Sequence, residues 1–272
     1  MSRFVEASGI RWHVQEAGRG PAMLLVHGTG ASMHTWRGVL PILAREYSVF
    51  AVDLPGHGFT DSVSAVRSSI NGMSDSLATL LRALQVDPGY CVGHSAGAVI
   101  LCRMTLDGYI APRMIVSING AFMPFAGATG MLLAPIARFL ADSPMMSRLI
   151  ARCACNPARV ARMIAGTGST LDGEGIELYA RLVGNPKHVT GALSMMANWD
   201  LSSFQRDLPR LKTPLALMVA ENDLAVAPQQ ALKVKQIAAN AAIHALPGLG
   251  HLAHEEQPAI VAQEILKICR VA

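Results

Sequence analysis

The residues most capable of chemistry in this chain surround a serine. Ser95 stands between Gly93 and Gly97 in the pentapeptide GHSAG, a G-x-S-x-G pattern. The motif follows a short apolar run typical of a buried strand and precedes a helical pattern. On a sharp strand-to-helix turn the serine Oγ is exposed, and the flanking glycines avoid a Cβ that would clash. The pattern predicts a nucleophilic serine, with a glycine-rich turn and a capping serine as the alternative.

A serine hydroxyl attacks only when a base takes its proton, and histidine is the usual base. His251, in the loop GLGH after the last predicted strand, is the best candidate. We expect His254 to lie at the surface at the start of the C-terminal helix, and an H-x-x-H metal site is disfavoured because no third ligand is near. His27, His57 and His94 lie in glycine-rich loops that we expect them to hold together.

The base needs an acidic partner that accepts its Nδ1–H and stabilises the imidazolium. Asp223 follows a predicted strand and gives the chain order serine, acid, histidine. Glu221 is the rival acid. Asp53 comes too early for this order, and we expect it to tie down the turn Pro55–Gly58.

A developing oxyanion requires two hydrogen-bond donors. The N–H of Ala96 is one candidate, because it begins the helix that follows the serine. The loop HGTG after the first buried strand supplies the other, and we assign it to the N–H of Thr29, with Gly28 and Gly30 as alternatives.

The elements that position these residues follow from hydrophobic patterning. Two alternating segments, Arg3–Glu6 and Ile10–Gln15, predict a hairpin around Ser8-Gly9. Short apolar runs predict strands buried on both faces at Ala22–Val26, Val49–Val52, Cys91–Val92, Met114–Ile118, Leu215–Val219 and Ala242–Leu246. Helical patterns cover Trp36–Arg45, Met73–Leu84, Ala96–Leu106, Gln229–Ala239 and Pro258–Arg270. This alternation predicts an α/β fold, with a mostly parallel sheet between two layers of helices.

Between residues 121 and 208 the pattern is helical only. Helices are predicted at about Leu132–Leu140, Pro144–Cys153, Ala158–Ile164, Gly175–Val183 and Pro186–Ala197. We expect residues 121–208 to form a helical cap, inserted after the sixth strand into a core domain of residues 1–120 and 209–272. The cap is rich in methionine, which suits bulky apolar ligands, although ordinary core packing explains it equally well. Candidate pocket residues are Gly28, Trp36, His94, Met195, Met196, Trp199 and Leu252.

Composition excludes several classes of protein. Of the 272 residues 51% are hydrophobic and only 15% are charged, so intrinsic disorder and coiled coil are excluded as the main state. The net charge is +4, without a Lys/Arg cluster typical of phosphate-binding patches, so we expect no nucleic-acid partner. The five cysteines are odd in number and lack zinc-ribbon spacing, so we expect reduced, mostly buried thiols. Redox or metal chemistry at Cys153 and Cys155 is a minor alternative.

One apolar stretch is long enough to cross a bilayer. Residues 114–137 carry no charged side chain. Asn119, Gly120 and Pro124 interrupt the stretch, so it predicts a strand, a loop and the start of a helix rather than a membrane span. No signal-peptide apolar segment follows Met1, and we expect a cytoplasmic protein without a metal or cofactor.

Four motifs together resemble the α/β-hydrolase superfamily. They are HGTG at 27–30, DLPGHG at 53–58, GHSAG at 93–97, and the pairing of END at 221–223 with GLGH at 248–251. The resemblance covers residues 3–270 and implies catalysis by Ser95, His251 and Asp223.

Further segments resemble the hydrolase-like family of bacteriochlorophyll biosynthesis known as magnesium-chelatase accessory proteins. They are HGTGASMHTW, IAGTGS at 164–169, ALSMMANWDL at 192–201 and GLGHLAHEE at 248–256. This resemblance implies a role in photosynthesis, a large flat tetrapyrrole ligand and contact with the periphery of the photosynthetic membrane. Any part in magnesium chelation is indirect, because the chain has no G-x-x-x-x-G-K-[ST] loop for ATP.

Two function classes follow from these residues. The first is a serine carboxylesterase acting on a bulky apolar ester, with a carbon–carbon bond hydrolase as its variant. The second is a catalytically idle protein that binds and delivers a porphyrin. Aspartate-nucleophile dehalogenases and epoxide hydrolases are disfavoured, because the motif carries serine.

Overall fold

A single mixed sheet organises the chain. The computed structural model describes residues 1–124 and 135–271. Its strands are β1 Ser2–Ala7, β2 Ile10–Ala17, β3 Ala22–Val26, β4 Ser48–Val52, β5 Tyr90–His94, β6 Met114–Ile118, β7 Leu215–Ala220 and β8 Ala241–Leu246. They lie in the order β1-β2-β4-β3-β5-β6-β7-β8. The pairs β1–β2 and β2–β4 are antiparallel, and every other pair in this sheet is parallel.

The N-terminal hairpin is confirmed. Its turn residues Ser8 and Gly9 have positive φ values of 50° and 70°. Both central residues of a type I′ turn require positive φ, and this turn matches the right-handed twist of the flanking strands.

The helices also follow the predicted pattern. They are α1 Leu40–Leu43, α2 Ile70–Leu84, α3 Ala96–Leu106, α4 at residues 135–141, α5 Pro144–Ala154, α6 Pro157–Ala165, α7 Gly173–Val183, α8 Pro186–Ala197, α9 Ser202–Asp207, α10 Gln230–Ile237, α11 Ala253–Glu256 and α12 Pro258–Arg270. Short 3₁₀ helices lie at Met33–Trp36, Val66–Ser68 and Leu208–Arg210. The first part of the helix predicted at Leu132–Leu140 lies outside the described residues.

The single helix predicted at Trp36–Arg45 is wrong. A 3₁₀ helix ends at Trp36 and α1 begins only at Leu40. Pro41 occupies the first turn of α1, where its missing N–H costs nothing, whereas inside a longer helix it would remove a hydrogen bond. A Cβ at Gly38 would also lie 2.6 Å from a side-chain carbon of Pro258, so the chain passes directly against α12 there.

Apolar residues fill both faces of the sheet. Leu24 and Val26 of β3 pack in one cluster with α2 and α3, whereas Met23 and Leu25 pack in a second cluster with α1 and α12. This alternation along one strand is the signature of a sheet covered on both sides. Parallel strands with crossing helices bring all their carboxyl ends to one edge of the sheet.

The helical insertion after β6 is confirmed, with α4–α9 between β6 and β7. Of the uncharged stretch 114–137, residues 114–118 form β6, residues 125–134 lie outside the description, and residues 135–137 begin the described part of α4. None of the helices in the described ranges has the length and hydropathy needed to cross a membrane. Cys91, Cys102 and Cys269 are buried free thiols, whereas Cys153 and Cys155 are exposed.

The turn between β5 and α3 explains both glycines of the G-x-S-x-G motif. A Cβ at Gly93 would lie 2.4 Å from the amide nitrogen of Ala98. A Cβ at Gly97 would lie 2.3 Å from the carbonyl oxygen of Val26 in β3. The start of α3 therefore packs so closely against β5 and β3 that no side chain fits at either position.

We expect Gly97→Ala to lower the free energy of unfolding by about 1–3 kcal/mol, the typical cost of overpacking a close contact. Gly173→Ala is the matched control, because no atom lies within 4 Å of the Cβ position in the first turn of α7. Urea denaturation measures both variants. Equal midpoints for Gly97→Ala and the parent chain would show that this close packing is not needed.

Candidate active site

Ser95 occupies the strained turn between β5 and α3. Its φ of 51° and ψ of −116° are unusual for a residue that carries a Cβ. Two backbone hydrogen bonds hold this conformation: the Ser95 N–H donates to the carbonyl of Ile118 at 2.9 Å, and its carbonyl accepts from the N–H of Ala121 at 3.2 Å. Strain of this kind persists only where the surroundings enforce it, and it concentrates at functional sites.

His251 and Asp223 form a buried pair. The Nδ1–H of His251 donates to Oδ2 of Asp223 over 2.7 Å. The other carboxylate oxygen accepts the backbone N–H groups of Ala225 and Val226, both at 2.8 Å. The pair fixes the tautomer of the imidazole and leaves Nε2 as the acceptor nitrogen. The rival acid Glu221 is exposed, and the structure therefore selects Asp223 as the partner of His251.

The half-buried Ser95 lies beside the loop of His251. Its neighbour His94 packs against the ring of His251, with the ring centroids 4.7 Å apart. Among the described residues Ser95 Oγ makes no hydrogen bond, so the contact with Nε2 that proton transfer requires is not formed here. Catalytic hydrogen bonds are often long in unliganded enzymes and shorten when substrate binds.

The loop after β3 runs past the same serine. A Cβ at Gly28 would lie 3.0 Å from the Cβ of Ser95, so only a glycine fits there without displacing it. Within the described chain the N–H groups of Thr29 and Ala96 donate to no protein group, and both are free for a ligand. His27 fixes this loop, because its Nδ1–H donates to the Gly28 carbonyl at 2.8 Å and its Nε2 accepts the Leu54 N–H at 2.9 Å.

Asn119, at the end of β6, is a site residue that sequence reasoning missed. Its Nδ2 donates to the carbonyls of Gly250 and His251 at 3.1 and 2.9 Å, and its Oδ1 accepts the N–H of Ala220 at 2.8 Å. Nε2–H of His94 donates to the same His251 carbonyl at 3.0 Å. One amide therefore joins β6 to the end of β7 and to the histidine loop. The turn signal Asn119-Gly120 was the only hint in the sequence.

The loop between α6 and α7 was also missed as a site element. The carbonyl of Thr167 accepts the N–H of Leu224, next to the acid, at 3.1 Å and the N–H of His251 at 3.3 Å. Oγ of Ser169 accepts the N–H of Leu252 at 2.8 Å. One loop of the helical insertion thus holds the segments that carry Asp223 and His251.

The loop between α6 and α7 packs so closely against its neighbours that two of its contacts require glycine. A Cβ at Gly168 would lie 1.9 Å from the carbonyl oxygen of Asn222, and a Cβ at Gly250 would lie 2.2 Å from the carbonyl oxygen of Gly168. Gly168 also has a φ of +82°, which favours glycine. The three segments are in backbone-to-backbone contact.

The candidate pocket residues lie in different surroundings. Met195 is fully buried and accepts a weak hydrogen bond from Thr29 Oγ1 at 3.4 Å, so it lies beside the loop after β3. Met196 and Trp199 are half-buried, and Leu252 packs with apolar residues of α6 and α7. Trp36 is fully buried and packs in the apolar cluster that contains α1 and α12.

The expectation that His254 lies at the surface is wrong. Its ring is fully buried between Trp36 and His94, with centroid separations of 4.7 and 4.5 Å. Neither ring nitrogen has a hydrogen-bond partner among the described residues. Burial lowers the pKa of His254 to about 3, so the ring is neutral. The short helix α11 turns inward, which sequence spacing alone does not reveal.

Other buried histidines act as neutral connectors. Burial lowers the pKa of His188, on α8 of the cap, to about 4. Its Nδ1 accepts the Gly58 N–H and its Nε2–H donates to the Gly30 carbonyl, both at 3.1 Å, so it joins the cap to two core loops. Burial also lowers the pKa values of His27 and His57. The expected role of these rings in holding loops is confirmed for His27.

Asp53 ties down its turn as expected. Its carboxylate accepts the N–H of Met33 at 2.7 Å, the N–H of Phe59 at 3.0 Å and Nδ1–H of His13 at 2.8 Å. Across the described ranges no group of three or more His, Cys, Asp or Glu side chains is arranged to hold a metal ion.

We expect Ser169→Ala to slow the reaction of Ser95 with a fluorophosphonate probe about tenfold, because one hydrogen bond of roughly 1–1.5 kcal/mol that positions the histidine loop is lost. Ser143→Ala is the matched control, since this serine likewise accepts a backbone N–H within the cap, but from Met146 at the start of α5. Labelling rates measured by mass spectrometry compare the two. Equal rates in both variants would contradict a positioning role for Ser169.

We expect the free energy of unfolding to fall steeply as the pH drops below 6.5. A neutral buried histidine stabilises the fold above that pH, and the contribution is lost as the pH falls toward its folded-state pKa, about 4 for His188 and about 3 for His254. Each such ring adds about 1.4 kcal/mol per pH unit to the slope. Glu255 opposes this, because burial raises its pKa to about 7 and its contribution is lost as the pH rises through that value.

The variant His254→Phe keeps the contacts with Trp36 and His94 and removes two unpaired ring nitrogens. It should be at least as stable as the parent chain at pH 7 and should lose one histidine's share of the slope between pH 6 and 4. Urea midpoints at several pH values measure this. An unchanged slope would mean that His254 is not neutral in the folded state.

Comparisons with known proteins agree with this architecture. The sequence model of the alpha/beta hydrolase family matches residues 23–264. The magnesium-chelatase 30 kDa subunit of Rhodobacter capsulatus is 36% identical over 248 residues, which cover 90% of this chain and 86% of that protein.

Solved structures extend the likeness over the whole fold. Epoxide hydrolase CorEH has a TM-score of 0.83 at 21% identity, covering 98% of this chain and 97% of that chain. A serine hydrolase of carbazole degradation, CarC, has a TM-score of 0.81 at 20% identity, covering 100% and 99%. At such identities the structures show the fold alone. Together with the family match and the related subunit, they establish that the chain belongs to the alpha/beta hydrolase family and is a homologue of the magnesium-chelatase 30 kDa subunit.

Proposed function

We propose that this protein is a serine hydrolase that cleaves a carboxylic ester. Ser95 is the nucleophile, His251 the general base and Asp223 the residue that orients the base. The observation that carries the proposal is the 2.7 Å hydrogen bond between His251 and Asp223 next to a serine in a strained turn. A neutral imidazole fixed in this tautomer presents the nitrogen that accepts a hydroxyl proton.

The proposed reaction has two stages. His251 takes the Ser95 proton as Oγ attacks the ester carbonyl, and the N–H groups of Ala96 and Thr29 bind the resulting oxyanion. The imidazolium then protonates the leaving alcohol, which leaves an acyl-enzyme. Water, activated by the same imidazole, releases the acid and restores the serine.

We propose that the substrate is bulky and apolar. Met195 lies beside the loop after β3 that contains Thr29. The half-buried Met196 and Trp199 lie at the C-terminal end of the same helix, α8, and just beyond it. Thioether and indole groups adapt to large apolar ligands better than to small polar ones. The related magnesium-chelatase subunit suggests an ester in tetrapyrrole metabolism, and the absence of an ATP-binding loop from the sequence makes any part in chelation indirect.

The proposal includes the organisation of the chain and its place in the cell. Residues 121–208 act as a cap subdomain over a catalytic core of residues 1–120 and 209–272. The protein works in the cytoplasm, next to the photosynthetic membrane, without a metal or cofactor.

A second candidate is a binding protein that holds or delivers a porphyrin under the cap. The observation that favours it is the lack of a hydrogen bond from Ser95 Oγ to any described residue, because an idle triad needs no such contact. In this case the three residues are retained without turnover.

We expect Ser95→Ala to abolish labelling by a fluorophosphonate and to lower kcat for a p-nitrophenyl ester by at least about a thousandfold, as the loss of a nucleophile does. Ser202→Ala, at an exposed serine of α9, is the control and should behave as the parent chain does. Labelled peptides identified by mass spectrometry locate the modified residue.

The two candidates give opposite results. Folded parent protein that resists the probe and turns over no ester, yet binds a porphyrin with an affinity unaffected by Ser95→Ala, would refute the hydrolase and support the binding protein. A porphyrin titration by absorbance, run on both chains, supplies this measurement.

A further inference from the structure

The outer helices of the cap expose large apolar side chains to solvent. Those more than half exposed between residues 135 and 165 are Ile136, Phe139, Met145, Leu149 and Met163. Phe139 and Met145 are each 72% exposed. Single exposed apolar residues are ordinary on a soluble protein, but a succession of them on neighbouring helices indicates an interaction surface.

Helix α5 shows how these side chains are arranged. Met145, Arg148, Leu149 and Arg152 follow the spacing i, i+3, i+4 and i+7, so they share the outward face of the helix. The opposite face carries the buried Ser147 and Ala151, and packs against α8. The exposed residues therefore form one stripe in which apolar and cationic side chains alternate.

The charge of the chain concentrates on the same segment. Residues 135–165 contain five arginines and one acidic residue, Asp142, and neither lysine nor glutamate. Five positive charges less one negative charge give +4, which is the net charge of the whole protein, so the rest of the chain is balanced. Successive arginines stand three to ten positions apart, which is why no basic cluster is evident in the sequence, although the helices bring some of them onto shared faces.

Intramolecular contacts do not neutralise these arginines. Arg138 donates to the carbonyl of Ala197, Arg159 to that of Cys153 and Arg162 to that of Ala158. None of the five arginines forms an ion pair with a residue in the described ranges. Arg152 and Arg162 complement the carboxyl ends of their helices, but this does not account for Arg148 in mid-helix or for the exposed apolar groups.

We propose that the outward face of α4–α6 docks on an anionic membrane surface. Helices whose exposed faces mix arginine with Phe, Leu and Met bind at the headgroup boundary, where the apolar side chains enter the acyl region and the guanidinium groups pair with lipid phosphates. A net positive face complements anionic lipid, whereas a face between protein copies would place these like charges against one another. This proposal does not depend on the hydrolase reaction.

Docking by this face has a consequence for the helical insertion. Helix α8, which packs against α5, contacts the loops around Ser95 through Met195 and His188. Docking by this face would therefore place the helices that surround α8 against the bilayer.

Vesicle sedimentation with the full-length protein tests the proposal. We expect binding to vesicles of phosphatidylcholine with 30% phosphatidylglycerol, no binding to pure phosphatidylcholine, and release of the bound protein as the salt concentration rises. The double variant Arg148→Gln/Arg152→Gln should lower the partition coefficient at least about tenfold, because each arginine near an anionic surface contributes roughly fivefold. Met145→Ser/Leu149→Ser should lower it similarly.

Helix α10 on the core offers the matched control. It also exposes a leucine and lysines, and Leu232→Ser and Lys233→Gln/Lys235→Gln should leave binding within twofold. Circular dichroism melting curves verify that every variant is folded. The proposal is overturned if the parent protein ignores anionic vesicles at low salt, if α5 and α10 variants lose binding equally, or if light scattering reveals a dimer that the α5 substitutions dissociate.

Discussion

The hydrogen bond between His251 and Asp223 is the interaction on which the rest of the site depends. It joins the loops that follow the neighbouring strands β7 and β8. Without this bond and the contacts around it, the two loops could move independently. Asn119 and His94 hold the histidine loop by its carbonyl, while two backbone amides fix the remaining oxygen of the carboxylate. These contacts hold the histidine loop and the carboxylate in place, so that Nδ1 of His251 faces Oδ2 of Asp223.

Most of the fold could be predicted from the sequence because its determinants are local. Alternation around Ser8-Gly9, apolar runs bounded by glycine or proline, and the spacing of Gly93 and Gly97 each specify a nearby backbone shape. The chain order of serine, acid and histidine likewise fits one sheet topology, which brings the three residues together. These features could be predicted because local secondary structure and overall topology favour the same arrangement.

Apart from the helix break before Pro41, the unpredicted features arise from contacts distant in sequence. Nothing near His254 in the sequence indicates that α11 turns its imidazole between Trp36 and His94. The role of Asn119 depends on a loop more than a hundred residues away. The contacts of residues 167–169 with the acid and base segments require the cap to be placed first, which no periodicity provides. The low pKa values of His188 and His254 likewise could not be predicted, because they result from burial in the fold and not from composition.

The fit of Gly168 between Asn222 and Gly250 has an evolutionary consequence. The helical insertion after β6 is not an exchangeable module, because its α6–α7 loop forms part of the support for the segments of Asp223 and His251. A chimaera that received a foreign cap would have to receive matching segments around positions 222 and 250 as well. A change at Gly168 during divergence would therefore require compensating changes in the segments around positions 222 and 250.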